Sequence, residues 1–264
     1  MKTKLLTMLL FGQYVVVQAQ IEFIAHRGAS YLAPENTVAA AKLAWGLGAD
    51  AVEVDVRLSG DKMVMVIHDS NTKRTTGIDY EVSETPSYIL RQLDAGSYKG
   101  EKFKGEKIPF LEEIIDIIPP DKKLVVELKS QFIPQLKKVV DKSNKSNQLV
   151  FICFDWETIL EMGKVFPDNG CYWLCNNENE LKKRRNDIVN SKLKGVVLKY
   201  PIINKEVMDW AGRYNLDIIA YGVNTLEEAK RLIMLGAKKI TTDRIGWLKK
   251  QLAISVSDTI KIHR

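Results

Sequence analysis

Eight short apolar or β-branched runs, most of them separated by segments of helical periodicity, set the frame for this 264-residue chain. The runs fall at residues 21–25, 51–56, 123–128, 149–154, 171–174, 195–198, 217–221 and 239–242. Helical periodicity covers residues 37–47, 111–118, 156–166, 178–191, 205–214 and 226–235. Gly46 and Gly48 stop the first of these, Pro119-Pro120 the second and Gly236 the last. Glycine relaxes into the left-handed turn that ends a helix, and proline lacks the N–H needed to continue one. Strands that alternate with helices predict a parallel α/β fold. A closed eightfold barrel and an open doubly wound sheet share this rhythm, and the length suits a barrel of about 250 residues. One section breaks the pattern. Residues 63–67 read as a strand or strand extension, and turn formers follow at Asn71, Gly77, Pro86, Gly96, Gly100 and Gly105. A loop this long inside a compact domain is functional or carries small elements of its own. Residues from about 70 to 107 are therefore expected to form an insertion that caps the barrel mouth after the second strand.

Apolar residues make up 45% of the chain and charged residues 27%, which is globular rather than disordered composition. The formal charge is +6, or +4 without Lys2 and Lys4. The basic excess is scattered except at Lys182-Lys183-Arg184-Arg185, which reads as a solvated helix face. No nucleic-acid motif accompanies it, so nucleic acid is not an expected partner. The N-terminus reads as a targeting segment. Met1-Lys2-Thr3-Lys4 is basic, residues 5–17 are mostly apolar, and Val17-Gln18-Ala19 places small residues at a cleavage point after Ala19. That apolar run is short of the roughly 20 residues a spanning helix needs. Residues 1–19 are thus expected to be a signal peptide. Residues 20–264 would form one exported domain, periplasmic or secreted, with no transmembrane anchor in the mature chain. Three cysteines, Cys153, Cys171 and Cys175, read as buried thiols in and near strands.

The chemistry concentrates between Ile24 and Asp69. Val52, Val54 and Val56 share one face of a strand, and Glu53 and Asp55 share the other. The valines suit packing under outer helices, so the two carboxylates must face the barrel interior. Burying like charges together is costly without a compensating cation. All-oxygen ligands favour one divalent metal, Ca²⁺ or Mg²⁺. An internal salt bridge to Arg57 or a lysine is the plainer alternative. Glu127 and Lys129 share a face of another strand: Glu127 is a natural third ligand and Lys129 a contact for a phosphate oxygen or hydroxyl. A self-compensated Glu–Lys pair is equally open on that strand alone. His26 and His68 each follow an apolar run directly, the place where barrel enzymes gather catalytic groups. Two imidazoles that titrate near neutrality divide general acid and general base work. Arg27 offers a fork of donors to phosphate, Gly28 lets backbone approach a substrate, and Asp69 is placed to orient His68.

His26-Arg27-Gly28, Pro34-Glu35-Asn36-Thr37, Glu53-Val54-Asp55, His68-Asp69, Arg74-Thr75-Thr76-Gly77 and Glu127-Leu128-Lys129 follow one another in order. With Ile108-Pro109-Phe110-Leu111-Glu112-Glu113, Val223-Asn224 and Thr242-Asp243, this set resembles the glycerophosphodiester phosphodiesterase family. The resemblance implies a TIM (β/α)8 barrel with an inserted cap after the second strand. It implies hydrolysis of glycerophosphodiesters to glycerol 3-phosphate and an alcohol. It further implies His26 and His68 as general acid and base, and Glu53, Asp55 and Glu127 as ligands of Ca²⁺ or Mg²⁺. Arg27 and Lys129 would contact phosphate, and Glu35 would support the first loop. Tyr221-Gly222-Val223-Asn224 stands where the family often has Trp-Thr-Val-Asn. Tyr221 keeps an aromatic wall for the glycerol and adds a hydroxyl. Cys153-Phe154-Asp155 stands where Ser-Phe-Asp is common. It carries no assigned role.

Two rival functions remain open to the sequence. A phospholipase D-like or lysophospholipase D-like enzyme on the same scaffold would show an apolar mouth, for which Tyr80, Tyr88, Ile89, Leu90, Tyr98 and Phe103 of the insertion are candidates. Those residues serve equally as a small core of the insertion, the favoured reading. A non-catalytic phosphodiester-binding module would have lost a histidine or a metal ligand, and none is missing.

Overall fold

The computed structural model describes residues 21–262, with side-chain surroundings described to residue 253. Residues 1–19, read above as a leader, lie outside the described residues. The apolar runs become β1 (Glu22–Ala25), β2 (Ala51–Leu58), β3 (Val64–Val66), β4 (Lys123–Leu128), β5 (Leu149–Cys153), β6 (Gly170–Cys175), β7 (Gly195–Lys199), β8 (Asp217–Tyr221) and β9 (Lys239–Thr242). All except β3 run parallel in chain order, and β9 pairs with β1 to close an eight-stranded TIM barrel. The open-sheet alternative is thereby excluded.

The helices are α1 (Val38–Gly46), α2 (Lys73–Thr76), α3 (Ser87–Leu90), α4 (Leu111–Asp116), α5 (Ile133–Lys142), α6 (Trp156–Val165), α7 (Glu178–Asn190), α8 (Lys205–Arg213), α9 (Leu226–Met234) and α10 (Ile245–Ile262). Each predicted helix is present and slightly shorter, because its limits had taken in capping residues. Thr37 caps α1 by accepting the Ala40 N–H, and Asn177, Asn204 and Thr225 cap α7, α8 and α9 likewise. Asp155 caps α6 through the Thr158 N–H, which gives the Cys-Phe-Asp tripeptide a structural duty. Helix α5 was not anticipated, although Ile133, Leu136, Val139 and Val140 bury a regular face.

Strand alternation builds two cores. Outward-facing Val52, Val54, Val56, Phe151 and Val196 pack under the helices. Inward-facing Ile24, Val125, Ile152, Leu174, Val197 and Ile219 fill the barrel. The three cysteines are buried and free. Half of the basic run in α7 is not solvated in the simple sense: Arg184 stacks on Trp156, and Arg185 stacks on Trp210 while pairing with Glu206 at 2.7 Å.

The section between β2 and β4 leaves the barrel plan. β3 pairs antiparallel with β2, and α2, α3 and two short 3-10 turns follow. Its own core is Met65, Ile67, Val82, Leu90, Leu93, Ala95 and Ile108. Of the six residues considered for that core or for an apolar mouth, only Leu90 is in it. Tyr80, Tyr88 and Tyr98 are exposed.

Candidate active site

Register brings the acids together. Asp55 and Glu127 are direct neighbours across β2 and β4, and Glu53 lies two residues below Asp55 on the same face. All three are buried, and one oxygen from each lies within 4.8 Å of the others. Lys129 reaches back to Asp55 Oδ1 at 2.8 Å and also pairs with Glu127. Asp55 Oδ1 is met by that ammonium, whereas Glu53 Oε1 has no hydrogen-bond partner among the described residues. Burial, then the Asp55 charge, pushes the carboxyls of Glu53 and Glu127 up. Burial works the same way on Asp55, but Lys129 and Arg27 outweigh it and hold that carboxyl down. The Lys129 ammonium, with an Arg27 guanidinium shared between Asp55 and Glu35, does not fully offset three buried acids. A buried acceptor oxygen without a partner, Glu53 Oε1, and an all-oxygen donor set fit a hard divalent cation.

The loop after β1 is folded back on these acids. Arg27 adopts a left-handed φ of 55° and Gly28 follows at 79°. This turn lets the Arg27 N–H donate to Glu53 Oε2 at 2.8 Å. The Arg27 side chain donates to Glu35 at 2.9 Å and lies 3.2 Å from Asp55 Oδ2. Asn36 exchanges two hydrogen bonds with Asp55: its Nδ2 donates to Oδ2 at 2.8 Å, and its Oδ1 accepts the Asp55 N–H at 3.1 Å.

Each histidine has its own aspartate. His26 Nδ1 lies 2.7 Å from Asp243 Oδ1, and His68 Nδ1 lies 2.7 Å from Asp69 Oδ1. A carboxylate at Nδ1 holds a proton there and leaves Nε2 as the free nitrogen. Burial alone would lower His26, but the Asp243 hydrogen bond and the Glu53 charge raise it above its ordinary value. At His68 burial prevails and the value falls. Arg57, considered above as an internal counter-charge, donates instead from Nε to the His68 carbonyl at 2.8 Å.

His26, Arg27, Glu53, His68, Glu127 and Lys129 line one cavity of about 250 Å³ at the C-terminal ends of the strands. Its other wall is apolar and includes Ile152, Phe154, Leu174, Val197, Ile219 and Tyr221. Burial pushes the Tyr221 hydroxyl up to about 12, so it stays protonated at neutral pH. Asp55 lies beneath the lining. Glu35 and Asp69 lie at the rim and are joined by Arg74. A cavity of about 300 Å³ at the opposite face is framed by Glu22, Asp50, Asp121 and Lys123 and holds neither histidine. Sequence reasoning had assigned no role to Asp243, Asn36, Asn224 or Arg74. Their only signal was membership in the ordered motif set.

Fold and site define a TIM-barrel enzyme of the phosphoric diester hydrolase class. The model of the glycerophosphoryl diester phosphodiesterase family matches residues 26–247. A glycerophosphodiester phosphodiesterase of Caldanaerobacter subterraneus is 31% identical over 229 residues, covering 83% of this chain and 93% of the relative. A lysophospholipase D of Rattus norvegicus is 26% identical over 268 residues, covering 87% and 85%. The structure of an Oleispira antarctica phosphodiesterase, in complex with the product sn-glycerol-3-phosphate, superposes with a TM-score of 0.81 at 27% identity. It covers 88% of this chain and 96% of its own. The chain belongs to the glycerophosphoryl diester phosphodiesterase family.

Proposed function

We propose that the protein hydrolyses glycerophosphodiesters to glycerol 3-phosphate and an alcohol, with His26 and His68 as the general acid–base pair. The observation that carries this reading is the pair of Asp–His units that border one cavity above three buried carboxylates. Glu53, Asp55 and Glu127 would hold one divalent cation, Ca²⁺ or Mg²⁺, which supplies Lewis-acid neutralisation of a phosphate oxygen when bound. Arg27 and Lys129 add positive charge where the phosphoryl oxygens gain negative charge. One imidazole takes a proton from the nucleophile, either water or the glycerol hydroxyl beside the ester. The other gives a proton to the departing alcohol. Tyr221 walls the glycerol side, Glu35 supports Arg27, and Asp69 orients His68.

The apolar wall from Ile152 to Tyr221 favours a second reading on the same residues. An acyl chain fits such a wall better than the free hydroxyl that a glycerophosphodiester carries in its place, which points to lysophospholipase D-like action on lysophospholipids. A substrate panel separates the two. Glycerophosphocholine, glycerophosphoethanolamine and lysophosphatidylcholine are assayed with Ca²⁺, with Mg²⁺ and with chelator. Release of glycerol 3-phosphate supports the first reading, and release of lysophosphatidic acid supports the second. Turnover unchanged in His26→Ala or Glu53→Ala protein removes both. Export after cleavage at Ala19 belongs to the same proposal and rests on residues 1–19 alone. N-terminal sequencing of the protein recovered from its cell tests it.

A further inference from the structure

One exposed arginine of the insertion touches both halves of the site. Arg74, in α2, donates from Nε to Asp69 Oδ2 at 2.6 Å and from Nη2 to Asp69 Oδ1 at 3.2 Å. The same guanidinium donates from Nη1 to Glu35 Oε2 at 2.7 Å and from Nη2 to Glu35 Oε1 at 2.8 Å. Asp69 Oδ1 is also the oxygen that meets His68 Nδ1, and Glu35 Oε1 is also the oxygen that accepts from Arg27. A single planar fork therefore spans two carboxylates, each of which holds a group bordering the cavity.

We propose that Arg74 is a positioning residue: it locks Asp69 against His68 and Glu35 against Arg27, so that the insertion completes the catalytic arrangement rather than only covering it. This rests on the hydrolytic reading above. Packing does not explain the contact, because the Arg74 side chain is 46% exposed. Helix α2 is anchored by buried Thr75 and by Thr72, whose hydroxyl donates to the Ile78 carbonyl. Exposed ion pairs contribute little to stability. A guanidinium that satisfies two carboxylates at once instead fixes their relative geometry, which a lysine point charge does not. Tyr98 adds a second tie from the insertion, its hydroxyl accepting the Glu35 N–H at 3.0 Å.

The test uses the full-length protein, glycerophosphocholine and saturating Ca²⁺ or Mg²⁺, reading kcat and KM separately. Arg74→Gln is expected to lower kcat about 10- to 100-fold while KM stays within about threefold, the pattern of lost alignment. Arg74→Lys, which keeps the charge, is expected to leave most of that loss in place with an unchanged Tm. It also keeps the test open should Arg74→Gln fail to fold. In a Glu35→Ala/Asp69→Ala background both ends of the bridge are gone, and adding Arg74→Gln should cost less than about threefold. Lys73→Gln on the same helix, which removes an exposed pair with Asp79, should change neither constant. Full activity in Arg74→Lys, or an equal loss with and without Glu35 and Asp69, overturns the positioning role. A wild-type protein inactive on every panel substrate overturns the hydrolytic reading, and this proposal with it.

Discussion

His26 Nδ1 and Asp243 Oδ1 lie 2.7 Å apart although 217 positions separate them in the chain. His26 directly follows β1 and Asp243 directly follows β9, and the two strands pair with Ala25 beside Thr242. The contact thus exists only because the barrel closes. Asp243 is itself held: Asn224 Nδ2 donates to Oδ2 at 2.6 Å and the Ser30 hydroxyl donates to Oδ1 at 3.1 Å. His68 obtains the same partner from the next residue in the chain. One imidazole is oriented by local sequence and the other by topology.

Asp243→Asn tests the long-range pair. The amide keeps the shape of the carboxylate but can offer an N–H to Nδ1, which favours the wrong tautomer and removes the charge that steadies a protonated ring. The expected outcome is a kcat lower by about 100-fold or more with little change in KM. Steady-state kinetics on glycerophosphocholine, together with a thermal melt that shows the variant folded, checks it. A kcat within about threefold of wild type counts against His26 as an acid–base group.

The aspartates that face the histidines also set an acid limit on stability. Arg74 and His68 hold Asp69 down to about 2; at Asp243 burial pushes the carboxyl up, but the His26 hydrogen bond and charge together with the Asn224 and Ser30 hydrogen bonds outweigh it and give about 2 as well. Both folded values lie below the ordinary 3.8. The stability they contribute is therefore present above about 4, and it is lost as the pH falls from about 4 through about 2. Tm measured across that window should drop steeply for the wild type and less steeply for Asp243→Asn. Parallel curves would show that the Asp243 carboxylate is not held low in the folded protein.

Gly28 joins fold and site in a single residue. Its φ of +79° strains any other side chain, and a Cβ there would lie 2.7 Å from the backbone and Cβ of Ala40 in α1. Gly28→Ala is expected to cost about 2–4 kcal/mol, from the left-handed backbone together with overpacking. Because Arg27 leans on this turn to meet Glu53, the variant should also lower kcat. Urea denaturation gives the first quantity and kinetics the second. A stability within about 0.5 kcal/mol of wild type would mean that the loop relaxes without strain.

What the sequence made legible was local. Glu53 and Asp55 share a face because strand side chains alternate, and Asp69 reaches His68 because it is the next residue. Capping residues such as Thr37 and Gly236 mark helix ends by their own chemistry. Asp243, Asn36 and Arg74 stood in the ordered motif set but received no role, for the opposite reason. Their partners are chosen by barrel closure, by a left-handed loop and by the path of the insertion, and none of these leaves a periodic trace. The insertion core was misread because its aromatic residues drew attention, whereas the smaller Val82, Leu93, Ala95 and Ile108 do the packing. Helix α5 was missed because only Ile133, Leu136, Val139 and Val140, set among lysines, mark its buried face.

Lys129 is the side chain best placed to compete with a cation. It lies 2.8 Å from Asp55 and pairs with Glu127, two of the three carboxylates that would hold a metal, and its side chain is only 11% exposed. Lys129→Met removes the compensating charge and leaves the hydrophobic stem. Breaking a buried pair on one side costs about 3–5 kcal/mol, so the chelated variant should melt well below the chelated wild type. Added Ca²⁺ or Mg²⁺ should then raise Tm more in the variant than in the wild type, because the ion no longer displaces an ammonium from its ligands. Turnover should fall as well, since a positive charge near the phosphoryl oxygens is gone. Scanning calorimetry with chelator and with each ion reads the coupling without relying on activity. If neither protein responds to either ion, Glu53, Asp55 and Glu127 do not form a metal site. If both gain equally, Lys129 does not compete with the ion, and its place between Asp55 and Glu127 is compatible with a bound cation.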